Sequence, residues 1–175
     1  MTEDLRYPIG KFERPIHLTS EARAAAILDV AELPQKFRAA TAGLSPAQFE
    51  TPYRPGGWTV RQLAHHVPDS HMNAYVRWKL ALTENKPRIK TYREEEWAKL
   101  ADTREAPIEI SLALLDGLHA RWSLILRSMA PEEFLRPLEH PDHGDVTLDA
   151  LLALYSWHGR HHTAHVTRLR EREGW

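Results

Sequence analysis

The chain has 175 residues, of which 42% are hydrophobic, and a formal net charge of −1. That is long and apolar enough for one domain, residues 1–175, with a sizeable core, and the charge balance excludes the basic excess of a duplex nucleic-acid binder. The sequence holds no cysteine but eleven histidines, so disulfides, zinc–thiolate sites, iron–sulfur clusters and cysteine nucleophiles are excluded, and any metal must be held by His, Asp or Glu.

Residues 1–19 carry Pro8, Gly10 and Pro15 without a helical period and read as an extended arm laid on the surface. Met1 to Phe12 lacks the apolar core of a signal peptide, and no apolar run approaches the roughly 18–20 residues of a membrane span. The expectation is a cytoplasmic protein without membrane or nucleic-acid partners. Ser20 reads as the N-cap of a first long helix ending near Ala42, with Gly43 as its stop and Pro34 kinking or dividing it. Ser45-Pro46 opens a short helical turn. Residues 52–57 form a loop. Thr59 and Gln62 then make a capping box, with Trp58 placed to staple onto Leu63. The second long helix runs from Thr59 to about Glu84, and Pro68 predicts a bend in it.

A connection from Asn85 to about Pro107 carries a short helix, signalled by Thr91 and Glu94 as a second capping box. The third long helix covers about Ile108 to Met129, where Leu112, Leu115, Leu118, Trp122, Ile125 and Met129 keep close to a 3.6-residue period. Pro131 opens another short turn, and residues 140–145 read as a polar loop. Thr147 caps the fourth long helix, which runs to about Glu173 with Gly174 as its stop. No segment reads as a strand. The expected architecture is an all-α four-helix bundle.

Two helices carry most of the histidines. The second has His65, His66 and His71 beside Asp69, and the fourth has His158, His161, His162 and His165. A His-x-x-x-His pair puts two imidazoles on one helix face, one turn apart, where both reach a single ion. A third ligand from another helix completes the pattern of a catalytic site with open positions. The fourth helix offers two such pairs. Helical phase favours His158/His162, because His162 lies nearer the middle of the apolar stripe. Depth favours His161/His165. His66 lies seven residues inside its helix, about 10 Å at 1.5 Å per residue, and His165 lies eight residues from the end of an antiparallel partner. Antiparallel second and fourth helices require the order up-down-down-up, and the long connection between the second and third helices is able to cross the bundle.

At these residues the sequence resembles the DinB/YfiT group of metalloenzymes, and within it the YfiT-type metal-dependent hydrolases. The similarity covers nearly the whole chain. It includes the arm Leu5-Arg6-Tyr7-Pro8-Ile9-Gly10 and the segment Pro55-Gly56-Gly57-Trp58-Thr59-Val60-Arg61-Gln62. It continues through His65-His66, Asp69-Ser70-His71-Met72-Asn73 and Lys79 to Glu84. It ends with Trp157-His158 through His165 and Gly174-Trp175. Pro68 departs from the pattern. The resemblance implies an up-down-down-up bundle, a homodimer, and one divalent ion per subunit, zinc or nickel, on His66, His161 and His165.

The function expected from this is metal-assisted hydrolysis of a small molecule. No Glu stands in a His-Glu-x-x-His arrangement, so a proton-transfer group must come from Asp69, His65, His162 or water. A metal-dependent thiol transferase using a low-molecular-weight thiol is the alternative, and a non-enzymatic, stress-related metal-binding dimer is a third reading. His71 is expected to be structural, and His17, His119, His140 and His143 to lie on the surface or in loops.

Overall fold

The computed structural model describes residues 4–175, so Met1 to Glu3 of the expected arm lie outside the described residues. Four long helices dominate: α1 (Ser20–Thr41), α3 (Val60–Thr83), α6 (Ile108–Ser128) and α7 (Leu148–Glu173). Three short helices lie between them: α2 (Pro46–Phe49), α4 (Glu94–Trp97) and α5 (Ala101–Glu105). A 3-10 turn (Pro131–Leu135) follows α6.

Helix starts follow local chemistry. Thr59 Oγ1 accepts the Gln62 N–H at 3.1 Å while Gln62 Oε1 accepts the Thr59 N–H at 3.0 Å, the expected capping box. Thr147 caps α7 by accepting from the Ala150 N–H at 3.2 Å, and Gly174 ends it at φ +71°, a left-handed stop that suits glycine. The first helix is capped by Thr19 rather than Ser20, with Thr19 Oγ1 accepting from the Ala22 N–H. Pro34 and Pro68 lie inside continuous helices; α1 is not divided. The second expected capping box does not form: α4 begins at Glu94 after Arg93, without a side-chain cap.

The chain also contains a hairpin where no strand was expected. β1 (Pro137–His140) pairs antiparallel with β2 (Gly144–Thr147), in the register Leu138↔Val146. The expected polar loop is its turn. Each strand has four residues, and only Leu138 and Val146 turn inward, too little alternation to register as a strand pattern.

Contacts fix the helix directions. Along α1 and α7, Arg23 meets Asp149, Asp29 meets Ser156, and Arg170 reaches Ala40, so these two run parallel. Gly159 lets α1 approach α7 there, because a Cβ would meet the Leu33 side chain at 2.7 Å. Along α3 and α6, His65 meets Ser111, His71 meets His119, and Trp78 meets Met129, again parallel. Along α3 and α7, His66 meets His162 and His71 meets His158, so this pair is antiparallel. The order is up-down-down-up.

The apolar core falls into two clusters. One gathers Val30, Trp78, Trp122, Phe134, Leu148 and Leu152 with their neighbours. The other gathers Phe37, Leu63, Leu115, Val166 and Leu169. Buried His66, His71, His119 and His162 occupy the middle of the same helices and separate the two.

Candidate metal centre

The antiparallel meeting of α3 and α7 brings two sets of imidazoles together. In one, ring nitrogens of His66, His158 and His162 all lie within 4.8 Å of one another; in the other, those of His161, His162 and His165 do. His66 Nε2 faces His158 Nε2 at 3.3 Å. His66 belongs to a set with His158 and His162, and to none with His161 or His165. His162 belongs to both.

The register explains this. His66 stands opposite His162, and His71 opposite His158. The estimate from flush helix ends put His165 opposite His66, three residues away, or about 4.5 Å at the helical rise. The ends are not flush: the last turns of α7 run past the start of α3, where the Arg172 guanidinium donates to the Tyr53 carbonyl. A slip approaching one turn brings His158 and His162 to the level of His66, with His161 and His165 in the adjoining set. Helical phase had favoured the pair that meets His66.

All of these histidines are held neutral. Burial pushes His66 down to about 4 and His161 to about 4. His165 falls to about 3, through burial first and then the nearby His161. His158 and His162 lie well below the ordinary range, by burial first and then by neighbouring imidazoles, His66 beside the one and His158 beside the other. Neutral imidazole is the form that ligates a metal. Two neutral rings with Nε2 facing Nε2 share at most one proton between those atoms, so a lone pair points into the gap. The donor set therefore fits a divalent ion of the zinc or nickel type.

The remaining candidates separate clearly. His161 stacks on Trp157 with centroids 4.2 Å apart, and its buried Nδ1 has no partner. His165 stacks on Tyr53 at 3.9 Å and donates from Nε2 to the Arg6 carbonyl at 3.3 Å. The arm thus crosses α7 directly over the site, and Gly10 accepts from the Trp157 indole N–H. His65 is directed towards α6, where its Nδ1 meets Ser111 Oγ at 2.7 Å. Asp69 is raised to about 6, by burial and by the charge of Asp102. Neither His65 nor Asp69 lines the cavity that His66, His158, His161 and His162 share. That cavity measures about 690 Å³ and is walled by Trp58, Tyr155, Trp157, Arg77 and Glu94.

His119 is not on the surface. It is buried in α6, its Nδ1 against the Val30 carbonyl and its Nε2 3.0 Å from His71 Nδ1. Its sequence signal was available: it follows Leu112, Leu115 and Leu118 one step off the apolar stripe of α6. His140 and His143 stack on each other in the hairpin turn, centroids 4.5 Å apart, and His17 is exposed in the arm.

Residues 30–166 match the DinB superfamily. The chain belongs to that superfamily. Within it, a protein of Bacillus mycoides (strain KBAB4) is 50% identical over 173 residues, covering 99% of each chain. One of Bacillus cereus (strain ZK / E33L) is 51% identical over 172 residues, covering 98% of this chain and 99% of that one. Both carry the name "Putative metal-dependent hydrolase". The solved structure of YfiT from Bacillus subtilis, described as "a probable metal-dependent hydrolase with an unusual four-helix bundle topology", matches with a TM-score of 0.95 at 44% identity, over 98% of this chain and 99% of that one. YfiT thus shares the bundle, and all three relatives carry names that imply a metal.

Proposed function

We propose that this DinB-superfamily protein is a metal-dependent hydrolase of a small molecule, with one divalent ion, zinc or nickel, held by His66, His161 and His165. The observation that carries the reading is the close, buried set of His161, His162 and His165 on one side of α7, with His66 facing it from α3, its ring centroid 5.0 Å from that of His162. The set His66, His158 and His162 is the competing assignment, favoured by the 3.3 Å opposition of His66 Nε2 and His158 Nε2.

A divalent ion on three neutral imidazoles keeps its full charge and supplies the acidity that lowers the pKa of water towards about 7. The chain supplies the rest. Trp58, Trp157 and Tyr155 wall the cavity and limit water. Arg77 and Glu94 at its lining give polar handles for a substrate. Of the proton-transfer candidates Asp69, His65 and His162, His162 lines the cavity and is the one placed to accept or give a proton there.

The homodimer belongs to the same reading. Ile110, Leu114 and Leu124 are 62%, 44% and 70% exposed and share one outer face of α6, a stripe that a second copy would cover.

The test is turnover of small ester, amide and phosphoester substrates by metal-loaded protein, with and without an added low-molecular-weight thiol. The expected result is hydrolysis without thiol that a chelator abolishes. Turnover that needs the thiol would replace the reading by a transferase. No turnover with either, from protein that retains its ion, would replace it by a binding role.

A further inference from the structure

The cavity carries a second polar cluster, beside the histidines, that the metal centre does not use. On α3, Ser70 and Arg77 follow His66 by four and eleven residues, close to one and three full turns, so all three share one helix face. On α7, Tyr155 stands three residues before His158. Ser70, Arg77 and Tyr155 all line the cavity.

Each of these groups is set to donate. Arg77 is anchored from outside, its Nη2 donating to the Lys90 carbonyl at 3.0 Å. Its guanidinium has further N–H donors and no acceptor, and among the described residues it forms no ion pair. Tyr155 is 4% exposed. Burial pushes its hydroxyl up, and Arg77 and Ser70 lie close enough to hydrogen-bond it, so it stays an O–H at neutral pH. Behind Ser70 lies the Tyr92 hydroxyl, buried without a hydrogen-bond partner among the described residues. A buried hydroxyl left in that state is costly. The cluster thus has one positive charge and several hydroxyls, and no negative charge of its own. Glu94 and Glu95 also line the cavity, but they are exposed in α4 and do not pair with Arg77.

We propose that Ser70, Arg77 and Tyr155 form a subsite for an anionic oxygen group, a carboxylate or a phosphate, on the substrate. The inference rests on the hydrolase reading above for the statement that the ligand is a substrate, and it names the class: a small acid with its labile bond at the His66 end. A guanidinium fork flanked by hydroxyls is the donor set that matches such a group. Ser70 lies about 6 Å along the helix from His66 at 1.5 Å per residue, so the charged group and the labile bond belong to one short molecule. Leu151, Leu154 and Trp157 line the same cavity and offer apolar surface to its body.

Calorimetric titration of the zinc-loaded, full-length protein tests this without turnover. The probes are phenylacetate, phenyl phosphate, the phenethylammonium cation and uncharged 2-phenylethanol. One of the anions is expected to bind about 10-fold or more tightly than the alcohol, and the better of the two identifies the oxygen group. Arg77→Met should weaken that anion roughly 10–100-fold while leaving the alcohol and the zinc content unchanged. Tyr155→Phe should weaken the anion by a smaller factor. Arg77→Lys, which keeps the charge and loses the fork, should fall between wild type and Arg77→Met. An anion affinity that Arg77→Met and Tyr155→Phe both leave untouched would place the anion on the ion and overturn the subsite. Tighter binding of the cation, drawn to Glu94 and Glu95, would overturn it too, as would equal or absent binding of all four probes. Protein that shows the anion preference but turns over no ester, amide or phosphoester would sink the hydrolase reading and leave the subsite standing.

Discussion

The two apolar ends of the bundle and the histidine layer between them are built on the same four helices with opposite chemistry. At the ends, residues such as Phe37, Leu63 and Trp78 are fully buried, and removing their surface from water drives the helices together at about 25 cal/mol per Å². In the layer, six or more imidazoles are taken out of water and kept neutral, which gains far less and costs dearly for any ring left without partners. The layer is accordingly chained, nitrogen to nitrogen, down to backbone carbonyls. The contrast teaches that stability resides at the ends and that the middle is kept for another purpose.

Acid should separate the two regions most strongly. The layer's histidines have folded pKa values below the unfolded value of 6.5, with His66 and His119 each near 4. Their contribution is therefore complete above pH 6.5. It is lost as the pH falls from there towards 4, because only the unfolded chain takes up the protons. Each such histidine contributes up to about 1.4 kcal/mol per pH unit in that window. Asp69, raised to about 6, works in the opposite direction with a single proton. Thermal midpoints of metal-free protein should drop steeply between pH 6.5 and 5; a flat profile would mean that the layer is not buried and neutral.

Next in size is an apolar end. Phe37→Ala should cost about 3–5 kcal/mol in denaturant unfolding, while folded protein still binds its full complement of ion. Loss of the ion from folded Phe37→Ala would show that ends and layer are not separable. The smallest effect belongs to a helix start. Thr59→Ala removes the acceptor for the Gln62 N–H and should cost about 1 kcal/mol, again with ion binding retained. A larger loss would tie the cap to the His66 turn it precedes.

The four long helices were legible because their caps and periods are local: Thr59, Gln62, Thr147 and Gly174 act within a few residues. The hairpin was not, since Leu138 and Val146 acquire meaning only when paired. The imidazole pair opposite His66 was half legible. Phase read from α7 alone favoured His158/His162, but interhelical register depends on how the ends of α3 and α7 overhang, and no local pattern carries that. The burial of His119 was legible in its place beside the apolar stripe of α6, but its partners were not: Val30 and His71 lie 89 and 48 residues away.

The most direct test of the central claim is bound metal per chain by elemental analysis, in wild type and in His66→Ala, His158→Ala, His161→Ala and His165→Ala. The expected result is about one ion in the wild type, absent from the His66, His161 and His165 variants and kept by His158→Ala. An ion lost from His158→Ala but kept by both His161→Ala and His165→Ala would contradict the account.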